Sequence, residues 1–93
     1  MQAVLKVTVK GEDGKTREKR MLFDTEKSTE ICDVINGFGY AVQTIFLSKG
    51  GLLFIRNNNR KELTTADQET IKDYIGEHYP ERYVEAFGKV EEA

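Results

Sequence analysis

The chain opens on a run in which apolar and polar positions alternate. Ala3, Leu5, Val7 and Val9 fall on one side of residues 3–10, and Val4, Lys6, Thr8 and Lys10 on the other. Period two with β-branched residues predicts a half-buried strand. Gly11-Glu12-Asp13-Gly14-Lys15 follows. Asp13-Gly14 tolerates positive φ at both positions, so a hairpin to a second strand over 16–24 is expected. A two-residue Asp-Gly turn would set Lys10 opposite Arg17, a like-charge pair, which leaves room for a longer loop.

Further on, Ile31, Val34, Ile35 and Phe38 fall at i, i+3, i+4 and i+7, one helical stripe. A helix over 28–37 is predicted, with Thr25 or Ser28 as its cap and Asn36-Gly37 and Gly39 as its end. A second hairpin is predicted from 41–48 and 52–57 around Lys49-Gly50-Gly51, a three-residue loop with glycine in the left-handed position. That loop pairs Leu47 with Leu53 and Ile45 with Ile55 on one face, and Phe46 with Phe54 on the other. Asn57-Asn58-Asn59 reads as a turn. Thr65-Ala66-Asp67-Gln68 reads as the capped start of a helix to residue 79, with Ile71, Tyr74, Ile75 and Tyr79 as its apolar stripe. Pro80 ends that helix and can open a short last one carrying Tyr83, Val84 and Phe87.

The order ββαββα predicts one α+β domain over residues 1–93, with 89–93 as a frayed tail. Its architecture would be a two-layer sandwich, a four-stranded antiparallel sheet with helices on one face and a short extra C-terminal helix. The expected core is Ile31, Val34, Ile35, Ile45, Leu47, Leu53, Ile55, Ile71, Tyr74 and Ile75. Phe46 and Phe54 would then point away from the helices, toward solvent in a monomer. Either the segment after Pro80 or a second copy of the chain would cover them, and the short link at Pro80 favours the second copy.

Composition narrows the class. At 39% hydrophobic and 32% charged, the chain suits a globular domain and is too apolar for a disordered one. One cysteine and one histidine exclude a disulfide framework and a four-ligand zinc site of the usual kind. The N-terminal residues carry no apolar signal-peptide core, and the longest stretch free of Lys, Arg, Asp and Glu, residues 34–48, is too short and polar to cross a bilayer. A cytoplasmic location and no membrane partner are the expectation.

Net charge is −2, but unevenly spread. Residues 49–61 hold Lys49, Arg56, Arg60 and Lys61 without an acid, and residues 62–93 hold nine acids against three bases. The acidic helix could sit beside the basic hairpin and neutralise it. The single cysteine, Cys32, reads as a buried small hydrophobe and the single histidine, His78, as a surface or boundary residue, and the sequence neither requires nor forbids their meeting. Gly37-Phe38-Gly39 lacks the lysine and the strand-then-helix order of a phosphate loop. No cofactor, metal or catalytic residue is predicted. The expected function is a non-enzymatic binding or interaction module, self-associating as a homodimer or binding another protein. Its surface would include Phe46, Phe54, Lys49, Arg56, Arg60 and Lys61. The alternative is a single-stranded nucleic-acid binder in which the two rings stack bases and the four cations track phosphates.

Overall fold

The computed structural model describes residues 1–93. Six strands precede two helices: β1 (Gln2–Lys10), β2 (Thr16–Asp24), β3 (Thr29–Ile35), β4 (Ala41–Leu47), β5 (Leu53–Asn57), β6 (Glu62–Thr64), α1 (Gln68–His78) and α2 (Pro80–Phe87). β1 and β2 form a separate antiparallel hairpin, and β3-β4-β5-β6 form an antiparallel meander. The fold is α+β with a four-stranded antiparallel sheet, but both helices follow the strands.

Residues 28–37 are therefore not the predicted helix. β3 runs through them, and the reason lies in a register shift. Glu30 pairs with Phe46 and Cys32 with Ile45, so Ile31 is an extra residue on β3. A bulge of this kind breaks the alternation of sides. Ile31 and Cys32 both enter the core under the helices, and Val34 packs against it. Apolar positions at 31, 32, 34 and 35 then imitate a helical stripe. Thr29, Ile31, Val34 and Ile35 are β-branched, which favours the extended chain.

All three β-hairpins that join β1 to β2, β3 to β4 and β4 to β5 close with the same loop. The Gly14 N–H donates to the Gly11 carbonyl at 3.0 Å, Gly39 to Asn36 at 3.1 Å, and Gly51 to Ser48 at 3.0 Å. The Gly11, Asn36 and Ser48 N–H groups donate in turn to the carbonyls of Lys15, Tyr40 and Leu52, at 2.8–2.9 Å. Gly14, Gly39 and Gly51 have φ of 79°, 85° and 86°, which glycine adopts without the steric cost other residues bear. The first loop is thus longer than a two-residue Asp-Gly turn: Lys10 faces Thr16 and Val9 faces Arg17, which avoids the like-charge pair.

The meander buries both faces. Under α1, Ile45 and Leu53 join Ile31, Cys32, Ile71 and Ile75. On the other face, Phe46, Phe54 and Leu63 meet Val7 and Phe23 of the β1–β2 hairpin, with Ala3, Leu5, Val9 and Met21 around them. Phe54 lies between Phe46 and Phe23, with ring centroids 5.4 and 4.9 Å away. The molecule is thus three layers: hairpin, sheet and helices. The hairpin shows one alternating apolar side, and laying it on the sheet removes that side from water together with the phenylalanines.

α1 starts at Asp67, whose carboxylate accepts from the Thr70 N–H at 3.0 Å. Gln68 then reaches back to β5, its amide accepting from the Leu53 N–H at 2.8 Å and donating to the Leu53 carbonyl at 2.9 Å. β6 pairs only with residues 55–57, so this side chain serves backbone groups the short strand does not reach.

Candidate interaction surface

The six residues expected to form one surface are scattered. Phe46 and Phe54 are core, 4% and 0% exposed, covered by the chain's own first hairpin rather than by residues 81–88 or a second copy. Lys49 lies in the β4–β5 loop. Arg56 lies near the other end of β5, a strand of about 17 Å, and Arg60 and Lys61 lie in the loop beyond it. Arg56 is half-buried: its Nε donates to Asn58 Oδ1 at 2.9 Å, and its guanidinium sits 5.2 Å from the Phe46 ring centroid. Asp33 Oδ1 accepts from Thr44 Oγ1 at 2.8 Å beside it, completing a polar row next to the phenylalanines. Arg60 meets Glu62 at 3.9 Å in solvent. No salt bridge joins these cations to helical acids, so the expected neutralisation does not occur.

Cys32 is buried in β3. Burial first, then the Asp33 carboxylate, push its thiol up to about 11 against a smaller pull from Arg82. It is a neutral packing group at physiological pH. His78 lies exposed against Tyr74, the rings tilted with centroids 4.4 Å apart, and no hydrogen bond joins it to Cys32. Partial burial raises the Tyr74 phenol, with Tyr79 and Cys32 adding to it.

What the structure makes prominent is the state of its strand edges. An open edge presents unpaired N–H and C=O groups and is a template for another strand. The β3 edge is sealed: Arg82 donates to the carbonyls of Ile31 at 2.7 Å and Glu30 at 2.9 Å, and Tyr79 Oη donates to that of Asp33 at 2.9 Å. The β6 edge is three residues long. On β1, Thr65 Oγ1 donates to the Lys6 carbonyl at 3.2 Å.

β2 is different. At the tip of its hairpin the Gly11 N–H donates to Lys15, and at the base the Thr25 N–H donates to Met1. The register pairs odd residues with odd ones between these points. Antiparallel alternation then turns the backbone of odd residues inward and that of even residues outward. The Lys6 and Asp24 carbonyls fit this parity, since both accept from side chains outside the hairpin. Asp24 is committed further: Gln2 and the Glu26 N–H donate to its carboxylate and lower its pKa. The outward groups of Thr16, Glu18, Arg20 and Leu22 have no partner.

The side chains there are also open. Residues 12–20 are exposed, and the cross-strand pair Val4 and Leu22 is 63% exposed on the hairpin's outer side. Beneath the overhanging tip runs a groove of about 670 Å³, lined by Val9, Met21 and Leu52 with Arg17 and Lys19 at its border. Residues 1–24 hold six cations against four acids, while residues 67–93 hold eight acids against three cations. The two outer layers therefore carry opposite charge.

A second patch lies at the β3–β4 loop. Asn36 Oδ1 accepts from the Phe38 and Tyr40 N–H groups at 2.9 and 3.1 Å, which holds both rings outward, 88% and 70% exposed. Asn58 ties the Arg60–Lys61 loop to the same end through the carbonyls of Ala41 and Val42.

Neither feature follows from the sequence patterns read above. Two signals were available: Asn36-Gly37-Phe38-Gly39-Tyr40 carries the glycine spacing of the other two loops, and Thr16–Arg20 lacks any alternating apolar side. No helix is long and apolar enough to cross a membrane. Comparison of the chain with protein-family models, with curated proteins and with solved structures finds no match.

Proposed function

We propose that this chain is a non-enzymatic protein-interaction module that takes up an extended partner strand along β2. The observation that carries the reading is the edge itself: four consecutive outward residues with unpaired backbone groups, on a hairpin that overhangs the sheet, while β3 is sealed by Arg82 and Tyr79. Main-chain hydrogen bonds supply affinity in strand addition, and alternate side chains supply selectivity. The neutral, buried Cys32 and the solvent-facing His78 support binding rather than catalysis.

The test uses parity. Arg20→Pro removes an outward N–H and leaves the β1–β2 ladder whole, since proline is tolerated where the N–H faces solvent. Amide exchange is followed with and without the synthetic peptide TREKRMLFD, the sequence of β2. Protection gained at Glu18, Arg20 and Leu22, and lost in folded Arg20→Pro, is the expected result. Protection at these amides in chain dilute enough to sediment as a monomer would show the edge already covered within one chain and defeat the reading.

A second reading, single-stranded nucleic-acid binding, draws on Phe38 and Tyr40 beside Arg60 and Lys61 rather than on Phe46 and Phe54. Exposed rings stack bases and the cations meet phosphates. Binding of an oligonucleotide would weaken with salt, with a slope lowered by about one in Arg60→Ala. Absence of binding at low salt across several sequences removes it.

A further inference from the structure

We infer that the strand β2 accepts is β2 of a second copy, laid antiparallel across a two-fold axis at Lys19; this rests on the strand-addition reading above. A two-fold dimer pairs identical surfaces, so two β2 edges meet antiparallel. Parity limits the registers, because only even residues carry free outward groups and even must meet even. Centring on Glu18 sets glutamate against glutamate, and centring on Arg20 sets arginine against arginine. Centring on Met21 sets Glu18 against the partner's Asp24. Centring on Lys19 sets Glu18 against the partner's Arg20, twice by symmetry, and Thr16 against the partner's Leu22.

One other register is charge-matched. Centred on Leu22, it sets Arg20 against the partner's Asp24. Asp24 is already engaged there: its carbonyl accepts from Ser28 Oγ at 2.6 Å and its carboxylate from Gln2 and the Glu26 N–H. That register also pairs only residues 20–24 of β2, against 16–22 for the Lys19 register. The one like-charged contact left is Lys19 on itself, on the exposed inner side of the overhang, where the groove also carries Glu12 and Asp13. The product is one continuous four-stranded sheet, β1-β2 joined to the partner's β2-β1.

The shape of the chain agrees. Its surface is 6896 Å², where a compact chain of this mass has roughly 5,500 Å². The tip of the first hairpin, exposed over residues 12–20, contributes to the excess and is the part the second copy would cover.

Cysteine scanning reads the register. Residues opposite each other at a non-hydrogen-bonded site lie about 4.5 Å apart at Cα, within disulfide reach. Single cysteines at 17 to 22 are oxidised with Cys32 replaced by Ala. Lys19→Cys is expected to give the most disulfide dimer. Sedimentation of the unmodified chain is expected to give twice the 10.6 kDa mass. Glu18→Arg should weaken the dimer roughly tenfold, and Glu18→Arg with Arg20→Glu should restore it, by cross-strand charge pairing. Preferred cross-linking at 18, 20 or 22, or no rescue by the double change, overturns this register. A chain that is monomeric at millimolar concentration overturns the homodimer; if the β2 amides are still protected by an added extended peptide, strand addition stands. A dimer that folded Arg20→Pro leaves intact overturns both.

Discussion

Phe54 joins the hairpin to the sheet: its ring touches Phe23 across the layers and Phe46 along its own. It is wholly buried. Phe54→Ala should cost roughly 3–5 kcal/mol by denaturant unfolding, through lost transfer energy and the cavity left behind. Phe38, 88% exposed, provides the contrast: Phe38→Ala should change stability by less than about 0.5 kcal/mol, the range of surface changes. Cys32 brings a pH dependence. Its thiol is raised in the folded chain to about 11 from an ordinary 9.0. Between those values the unfolded chain has lost a proton that the folded chain still holds, so stability falls as pH rises. Its contribution is fully present below pH 9 and lost as pH approaches 11. Unfolding curves from pH 8 to 11 should show this decline, flattened in Cys32→Ala.

At the scale of elements, the sealing of β3 can be separated from the fold it belongs to. Arg82 satisfies two edge carbonyls and also meets Glu85 at 2.8 Å. Hydrogen bonds to a charged group contribute roughly 1.5–3 kcal/mol, so Arg82→Ala should lower stability by an amount of that order. It should also raise concentration-dependent association, since a second edge is opened. Light scattering against Arg82→Lys, which keeps the charge without the fork, checks the second effect. The hairpin loops allow a parallel test. Gly51→Ala puts a Cβ on a residue with φ of 86° and should cost roughly 1–2 kcal/mol, the usual penalty of left-handed backbone.

The whole molecule measures 42 × 39 × 22 Å, with a Cα radius of gyration of 13.9 Å, against about 12 Å for a compact chain of this length. It is a flat stack in which β4 and β5 contribute to both cores: Ile45 and Leu53 on one side, Phe46 and Phe54 on the other. Sharing those strands couples the cores. Phe54→Ala in one and Ile75→Ala in the other should both shift a single thermal transition, read by calorimetry and circular dichroism together. Two separated transitions would mean that the first hairpin leaves the sheet on its own.

The sequence by itself determined what is local. The period-two run of β1 and its hairpin to β2, the loop at Lys49-Gly50-Gly51 with its pairs Leu47–Leu53, Phe46–Phe54 and Ile45–Ile55, the stripe Ile71–Ile75 and the break at Pro80 all depend on residues near one another in the chain. The tertiary structure decided what depends on distant partners. The extra residue on β3 at Ile31 has meaning only against β4, and without that neighbour its apolar spacing matches a helix as well as a strand. The burial of Phe46 and Phe54 needed a third layer, and alternation along β1 states that the hairpin has an apolar side but not which sheet face it meets. Ile35 and Phe38, placed on a helical stripe by spacing, end up 47% and 88% exposed because the chain turns there. The open edge of β2 is the furthest from the sequence. An edge is open because no other part of the chain lies beside it, and only the folded positions of β3, β6 and Thr65 show where the rest of the chain goes.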